Sequence, residues 1–279
     1  MPYAELLDEL NRKRLVPFLG PGILHDVRHS GTGQPMPADS DSLILALNQG
    51  KPMAPKLMYE FPRAAMNLEL KKGRSFVEKG LTRIYGDTQW TRAAVHDWLA
   101  TWMPPYVIDI NRDSQLQHTY ARTSHLLVRG LARTIGAQVR YSVHQYDEGQ
   151  YRLIEGEAMP KDLPILFKPM GSTEPTSQFV ASDADYVDYI TELMGGFAIP
   201  PLLKAYRREK RYLLLGLNLN RDTERMVMSE IVLDGAEQRG WAVIKRPGPK
   251  QVRCCRRLGL EIIDESVPEF TDKLGKLLM

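Results

Sequence analysis

Cysteine is nearly missing from this chain: two occur among 279 residues, side by side at Cys254 and Cys255. Adjacent cysteines rarely bridge each other, and no Cys-x-x-Cys pair exists. This excludes a disulfide framework and a zinc ribbon, leaves no metal site to expect, and fits a reducing, cytoplasmic setting. Long apolar runs are missing too, so no membrane span is expected. The start, Met1-Pro2-Tyr3-Ala4-Glu5-Leu6, lacks a basic stretch leading into an apolar one, and no signal peptide is expected. Nor does either sign of charge dominate. A net charge of +3 does not by itself imply nucleic acid. With 43% hydrophobic and 25% charged residues, the composition is that of a globular protein. The length allows one large α/β domain or a core with an insertion.

What is present centres on Leu15-Val16-Pro17-Phe18-Leu19-Gly20-Pro21-Gly22-Ile23. A short apolar run enters Gly-Pro-Gly and apolar residues follow, the pattern of a buried parallel strand, a tight loop and a helix. At the mouth of a parallel sheet such a loop brings backbone close to a phosphate, and a helix start offers unpaired N–H groups. Residues 20–24 are therefore a candidate pyrophosphate site. A plain turn is the alternative, and Pro21, which has no N–H, leaves the loop one donor short.

Residues 3–14 have the spacing of an amphipathic helix, and 29–42 read as a loop containing His29, with His25 just before it. Residues 42–103 read as helices without a strand, with Trp98 and Trp102 four apart on one face as core packing. Pro104-Pro105 ends that block. Tyr106–Ile110 is a second core strand, ending at Asn111 and Asp113. Polar residues there sit where α/β sheets hold ligands, or cap a helix. Ser124–Ile135 is expected to be a helix. Ala137–His144 and Gln150–Glu155 are expected strands joined at Asp147-Glu148-Gly149. Leu163–Lys168 is a strand running into Pro169-Met170-Gly171-Ser172. Ser182–Tyr186 caps a helix, Tyr212–Gly216 is a strand exiting into Leu217-Asn218, and a helix follows over 223–238. Trp241–Lys245 and Leu260–Ile263 close the sheet before a last helix, Val267–Leu278. Alternating strands and helices argue for a doubly wound parallel α/β sheet. The expected division is a core of 1–41 and 104–279 with a helical insertion or lid at 42–103.

Four of these stretches, in this order, resemble one family: the apolar run with Gly-x-Gly at 15–22, Asn-x-Asp at 111–113, Lys-x-x-Gly-Ser at 168–172, and the run into Gly-Leu-Asn-Leu at 213–219. Together they resemble the sirtuin-like domains, in the bacterial, zinc-less branch found in defence proteins. The resemblance implies a Rossmann-like fold that binds NAD, or a relative such as ADP-ribose. Gly20, Pro21, Gly22 and Ile23 would hold the pyrophosphate. Asn111 would orient the nicotinamide ribose and the attacking water, with Asp113 beside it. Gly171 and Ser172 would border the ligand, and Gly216 and Asn218 would reach the phosphate or adenosine side.

The sequence departs from that pattern where the family has its catalytic histidine, because Met170 stands there. A thioether does not accept a proton near pH 7, and losing a general base typically costs about 10²–10⁴-fold in rate. Pro21 replaces a small residue, and the serine usual after Gly22 is missing. His118 and His144 are the candidates for a substitute base. The resemblance thus implies a dinucleotide-binding domain with impaired or absent catalysis, acting as a sensor for a protein partner or within a homo-oligomer. Two alternatives stand beside it: an active NAD glycohydrolase releasing nicotinamide, and an interaction module without ligand or chemistry. One segment stays outside this scheme. From Arg239 to Arg257 there are seven Lys or Arg and no acid, which reads either as a patch for nucleic acid or an acidic partner, or as a solvated edge. Trp241 is the only aromatic there, and that favours the edge.

Overall fold

In the computed structural model, which describes residues 2–278 apart from 135, 137, 156, 157 and 234–239, the run Leu15–Leu19 forms the central strand, β1, with all five residues buried. The other strands are β2 (Tyr106–Asp109), β3 (His125–Gly130), β4 (Tyr141–Asp147), β5 (Gln150–Ile154), β6 (Ile165–Lys168), β7 (Gly171–Ser172), β8 (Gln178–Phe179), β9 (Arg211–Leu215), β10 (Gly240–Val243) and β11 (Leu260–Ile263). Nine of them make one sheet in the order β11-β10-β9-β1-β2-β6-β3-β4-β5, and β7 and β8 form a separate hairpin. The sheet is parallel from β11 to β3. The strand order reverses between β1 and β9, the crevice where open parallel sheets bind ligands.

The helices are α1 (Pro2–Asn11), α2 (Ser40–Leu47), α3 (Pro55–Met58), α4 (Phe61–Lys72), α5 (Arg74–Thr82), α6 (Ala94–Trp102), α7 (Gln115–Thr119), α8 (Asp183–Gly195), α9 (Pro201–Tyr206), α10 (Asp222–Leu233), α11 (Pro249–Arg257) and α12 (Val267–Leu278). Successive strand residues point to opposite faces, which sorts the core into two layers. Leu15, Leu19, Val107, Leu127, Leu213 and Trp241 pack with α1, α2, α4–α6 and α12. Val16, Phe18, Ile108, Leu126, Phe167 and Leu214 pack with α8–α11. This is a doubly wound α/β fold. Trp98 is buried in the first layer, its ring 5.4 Å from that of Trp102. No helix among the described residues is long and apolar enough to cross a membrane. The helix cap expected from sequence at Ser182 forms. The Ser182 side chain accepts from the Asp185 N–H while the Asp185 carboxylate accepts from Ser182 N–H.

Two expectations are corrected. Ser124–Ile135 does not form a helix. Residues 125–130 are β3, buried throughout between β6 and β4, and residue 135 lies outside the described part. A short, continuously apolar run such as Leu126-Leu127-Val128 does not distinguish a buried strand from a buried helix by periodicity. Nor does strand–helix alternation hold throughout, because β3, β4 and β5 form an antiparallel meander at one edge. The strand expected at 137–144 runs from Tyr141 to Asp147, with residue 137 outside the described part, so His144 is mid-strand opposite Leu127. The Glu148-Gly149 turn closes that hairpin with both residues at positive φ, 46° and 88°, as a two-residue connection of this twist requires. The expected helix tail at 234–238 also lies outside the described residues.

Candidate functional site

The crevice is built on contact between glycines. The Gly20 N–H donates to Leu215 O at 2.9 Å and the Gly22 N–H to Gly216 O at 2.8 Å. A Cβ at Gly20 would lie 2.7 Å from Gly216 O, and one at Gly22 would lie 2.9 Å from Gly216 Cα. Gly216 itself has φ +71°, which favours glycine. Only residues without side chains allow the loops after β1 and β9 to touch. Residues 21–24 then form a single 3₁₀ turn, not an α-helix, with Pro21 supplying the fixed φ of its first position. The consequence corrects the expectation of unpaired N–H groups. Ile23 N–H donates to Gly20 O at 3.2 Å, so the amides of Gly20, Gly22 and Ile23 are all committed within the protein, and Pro21 has none.

A second anchor fixes the loop after β2. Lys168, at the end of β6, reaches Asp109 Oδ2 at 2.6 Å, and both side chains are 0% exposed. The same ammonium donates to Asp113 O at 2.9 Å, and Asp109 Oδ1 accepts from the Asn111 N–H at 2.9 Å. Burial raises the Asp109 carboxyl above its usual value, while Lys168 pulls it down. The pair thus sets the course of 109–113. Along it Asn111 is buried, and its amide donates to Gly20 O at 3.2 Å, joining this loop to the glycine loop. The Arg112 guanidinium donates to Val180 O at 2.7 Å and lies over the Phe61 ring.

These loops border a cleft of about 650 Å³, within the range of small-molecule sites. Pro21, Gly22, Gly216 and Asn218 line it, as does Met170, which is 2% exposed. Gly20, Ile23, Asn111, Gly171 and Ser172 are not on its wall. Ser172 is fully buried, its hydroxyl donating to Glu174 O, and Gly171 packs on the Gln178 backbone. Leu43, Glu60 and Phe61 close one side from the helical stretch 40–102. The cleft's cations are Arg112, Arg221 and Lys245, and its carboxylates are Asp39, Asp41, Glu60, Glu224 and Glu265.

Glu60 and Glu224 were not singled out from sequence. Glu60 is 5% exposed and accepts from the Asp222 N–H at the start of α10. A contact across 162 residues leaves no local trace. Glu224 accepts from the Asn218 N–H at 2.9 Å, and its position in the first turn of α10, after Asn220 and Asp222, was the one available signal. Burial pushes Glu224 up to about 7 against the pull of neighbouring N–H groups, Arg225 and Arg221.

Asp113 faces elsewhere. It lines a second cavity of about 690 Å³ with Tyr85, Trp90, Ser114, His118 and Thr173. It is 2% exposed, Oδ1 accepts from Gln115 N–H, and Oδ2 has no hydrogen-bond partner among the described residues. His118 sits on α7, its Nε2 2.8 Å from Glu174 Oε1, and this hydrogen bond raises the imidazole above its usual value. His144 lines neither cavity. Burial, then the nearby Arg129, lowers it to about 4. His25 lines the first cleft near its glycines, whereas His29 stacks edge-on against Trp90.

Two outcomes follow. Lys168→Met leaves a buried carboxylate without its cation and should cost roughly 3–5 kcal/mol. Adding Asp109→Asn should recover much of that loss, and equal urea-unfolding free energies for the single and double variants would contradict the assignment. For Glu224, the folded value lies above the ordinary 4.5. Its stabilising contribution is therefore complete below that value and lost as pH rises through about 7. Glu224→Gln should show a smaller drop in thermal midpoint than wild type between about pH 4.5 and 8.

The family model for the SIR2-like domain matches residues 107–263, from β2 to the end of β11. No curated protein matches the chain. The match takes in more than half of the sequence, β9 and its loop included and β1 not, and on that basis the chain belongs to the SIR2-like domain family.

Proposed function

We propose that the chain binds NAD, or the related ADP-ribose, in the cleft between the β1 and β9 loops, and that its catalysis is impaired. Met170 carries this reading. It stands where the resemblance expects the catalytic base, it borders the cleft, and its thioether takes no proton near neutral pH. Volume and donor set fit such a ligand. With the glycine-loop amides committed, Arg221 and Lys245 are the side chains for the phosphates, and Glu60 and Glu224 are acceptors for ribose hydroxyls. Pro21, Gly22, Gly216 and Asn218 serve as the close-packed floor, with Gly20 and Ile23 behind it. Asn111, Gly171 and Ser172 act from behind it. Residues 42–103 form an insertion that serves as a lid, since Leu43, Glu60 and Phe61 border the ligand space. In this reading the chain is of the zinc-less branch and reports nucleotide occupancy to a partner or a second copy. Calorimetric titration should show saturable binding of NAD or ADP-ribose, and no heat at millimolar ligand would remove the reading. Met170→His should raise nicotinamide release at least about a hundredfold, the lower side of what a general base supplies.

A second reading, an active NAD-cleaving enzyme, is supported by one observation: the His118–Glu174 pair and the unpartnered Asp113 carboxylate oxygen share a cavity. There the His118 imidazole would take the proton from the attacking water, with Glu174 stabilising the charge. A base works deprotonated, so nicotinamide release should climb with pH through a value above the usual imidazole range and vanish in His118→Ala. Full activity in that variant would end this reading.

A further inference from the structure

Helix α11 divides its residues sharply. Gln251, Cys254, Cys255 and Leu258 are buried against the sheet. Lys250, Arg253, Arg256 and Arg257 are exposed, as is Arg246 just before the helix. A solvated edge neutralises part of its charge with nearby carboxylates, and Lys245 does so with Glu269 at 2.6 Å. The other five make no ion pair among the described residues. Residues 245–257 hold six cations and no acid in a chain of net charge +3, so the rest of the chain is net negative. The net positive charge is therefore gathered on this helix and the residues just before it.

The geometry of this surface narrows its partner. Lys250, Arg253 and Arg257 lie at i, i+3 and i+7, one stripe about 10 Å long at 1.5 Å per residue. Arginine forks suit phosphate oxygens, and a duplex offers one negative charge about every 1.7 Å along its axis. No exposed large hydrophobic residue falls within 240–260, and Trp241 is 0% exposed. The surface thus lacks the apolar anchors of a protein interface and the stacking platform of a single-strand groove. Gln251, the segment's only amide side chain, is turned inward and donates to Asn218 O at 2.7 Å, so no side-chain amide is offered to base edges. We propose that α11 and Arg246 bind the sugar–phosphate backbone of a nucleic-acid duplex without sequence preference. The surface adjoins the cleft through Lys245 and Gln251 but makes no use of the dinucleotide reading.

The test is fluorescence anisotropy of a labelled 20-base-pair duplex of arbitrary sequence, as DNA and as RNA, against the full chain at increasing salt. Four to five phosphate contacts give a slope of log K on log salt of about −4. Arg253→Glu/Arg256→Glu, both exposed and outside either cavity, should weaken binding at least tenfold and flatten the slope by about two, at about 0.9 per contact, with an unchanged thermal midpoint. Binding of either duplex with this slope supports the assignment, and the two arms tell which duplex is preferred. Absence of binding at low salt, an unaffected variant, tighter binding of the single strand, or equal competition by a poly-glutamate of matched charge each overturns it.

Discussion

The buried Asp109–Lys168 ion pair is the constraint on which the crevice depends. Two neighbouring strands, β2 and β6, end in opposite charges with no access to water. Such a pair brings little net stability over an apolar one, but removing either partner leaves the other stranded. Its role here is direction. Three hydrogen bonds from the pair and its loop fix the backbone from Asp109 to Asp113 and tie Asn111 to the glycine loop. The side chains that follow are divided between two cavities, Arg112 toward one and Asp113 toward the other.

On the other side of β1, three glycines close the β1 and β9 loops on each other. That contact decides how an anion can be held. A loop whose amides are committed to Leu215, Gly216 and Gly20 supplies shape and little charge. The task passes to side-chain cations standing among carboxylates, and Glu224, raised by burial, links the charge of the cleft to pH. A site so balanced suits a ligand that carries both phosphates and hydroxyls better than one that is phosphate alone.

How much of this was legible in the sequence depended on the range of the interaction. Apolar runs ending in glycine marked β1 and β9 and their loops, because both signals are local. The turn at Glu148-Gly149 and the cap at Ser182 were readable for the same reason. The apolar run at 125–130 is ambiguous along the chain, since only its neighbours β6 and β4 make it a strand. Asp109 and Lys168 are separated by 59 residues, Glu60 and Asp222 by 162, and His118 and Glu174 by 56. None of these pairings leaves a pattern along the chain, so the sequence located the loops of the site and missed much of the chemistry on its walls. The basic helix shows the reverse. Its charges were plain in the sequence, and only the structure shows that its four cations and Arg246 make no ion pair among the described residues.

The most direct measurement is a proton NMR series on NAD mixed with the purified chain, following the nicotinamide ring signals over time. Broadened NAD signals and no free nicotinamide are expected, the behaviour of a site that binds without a base at residue 170. Sharp, unchanged signals at millimolar NAD would contradict binding. Free nicotinamide accumulating over time would contradict impaired catalysis and turn attention to His118 and Glu174.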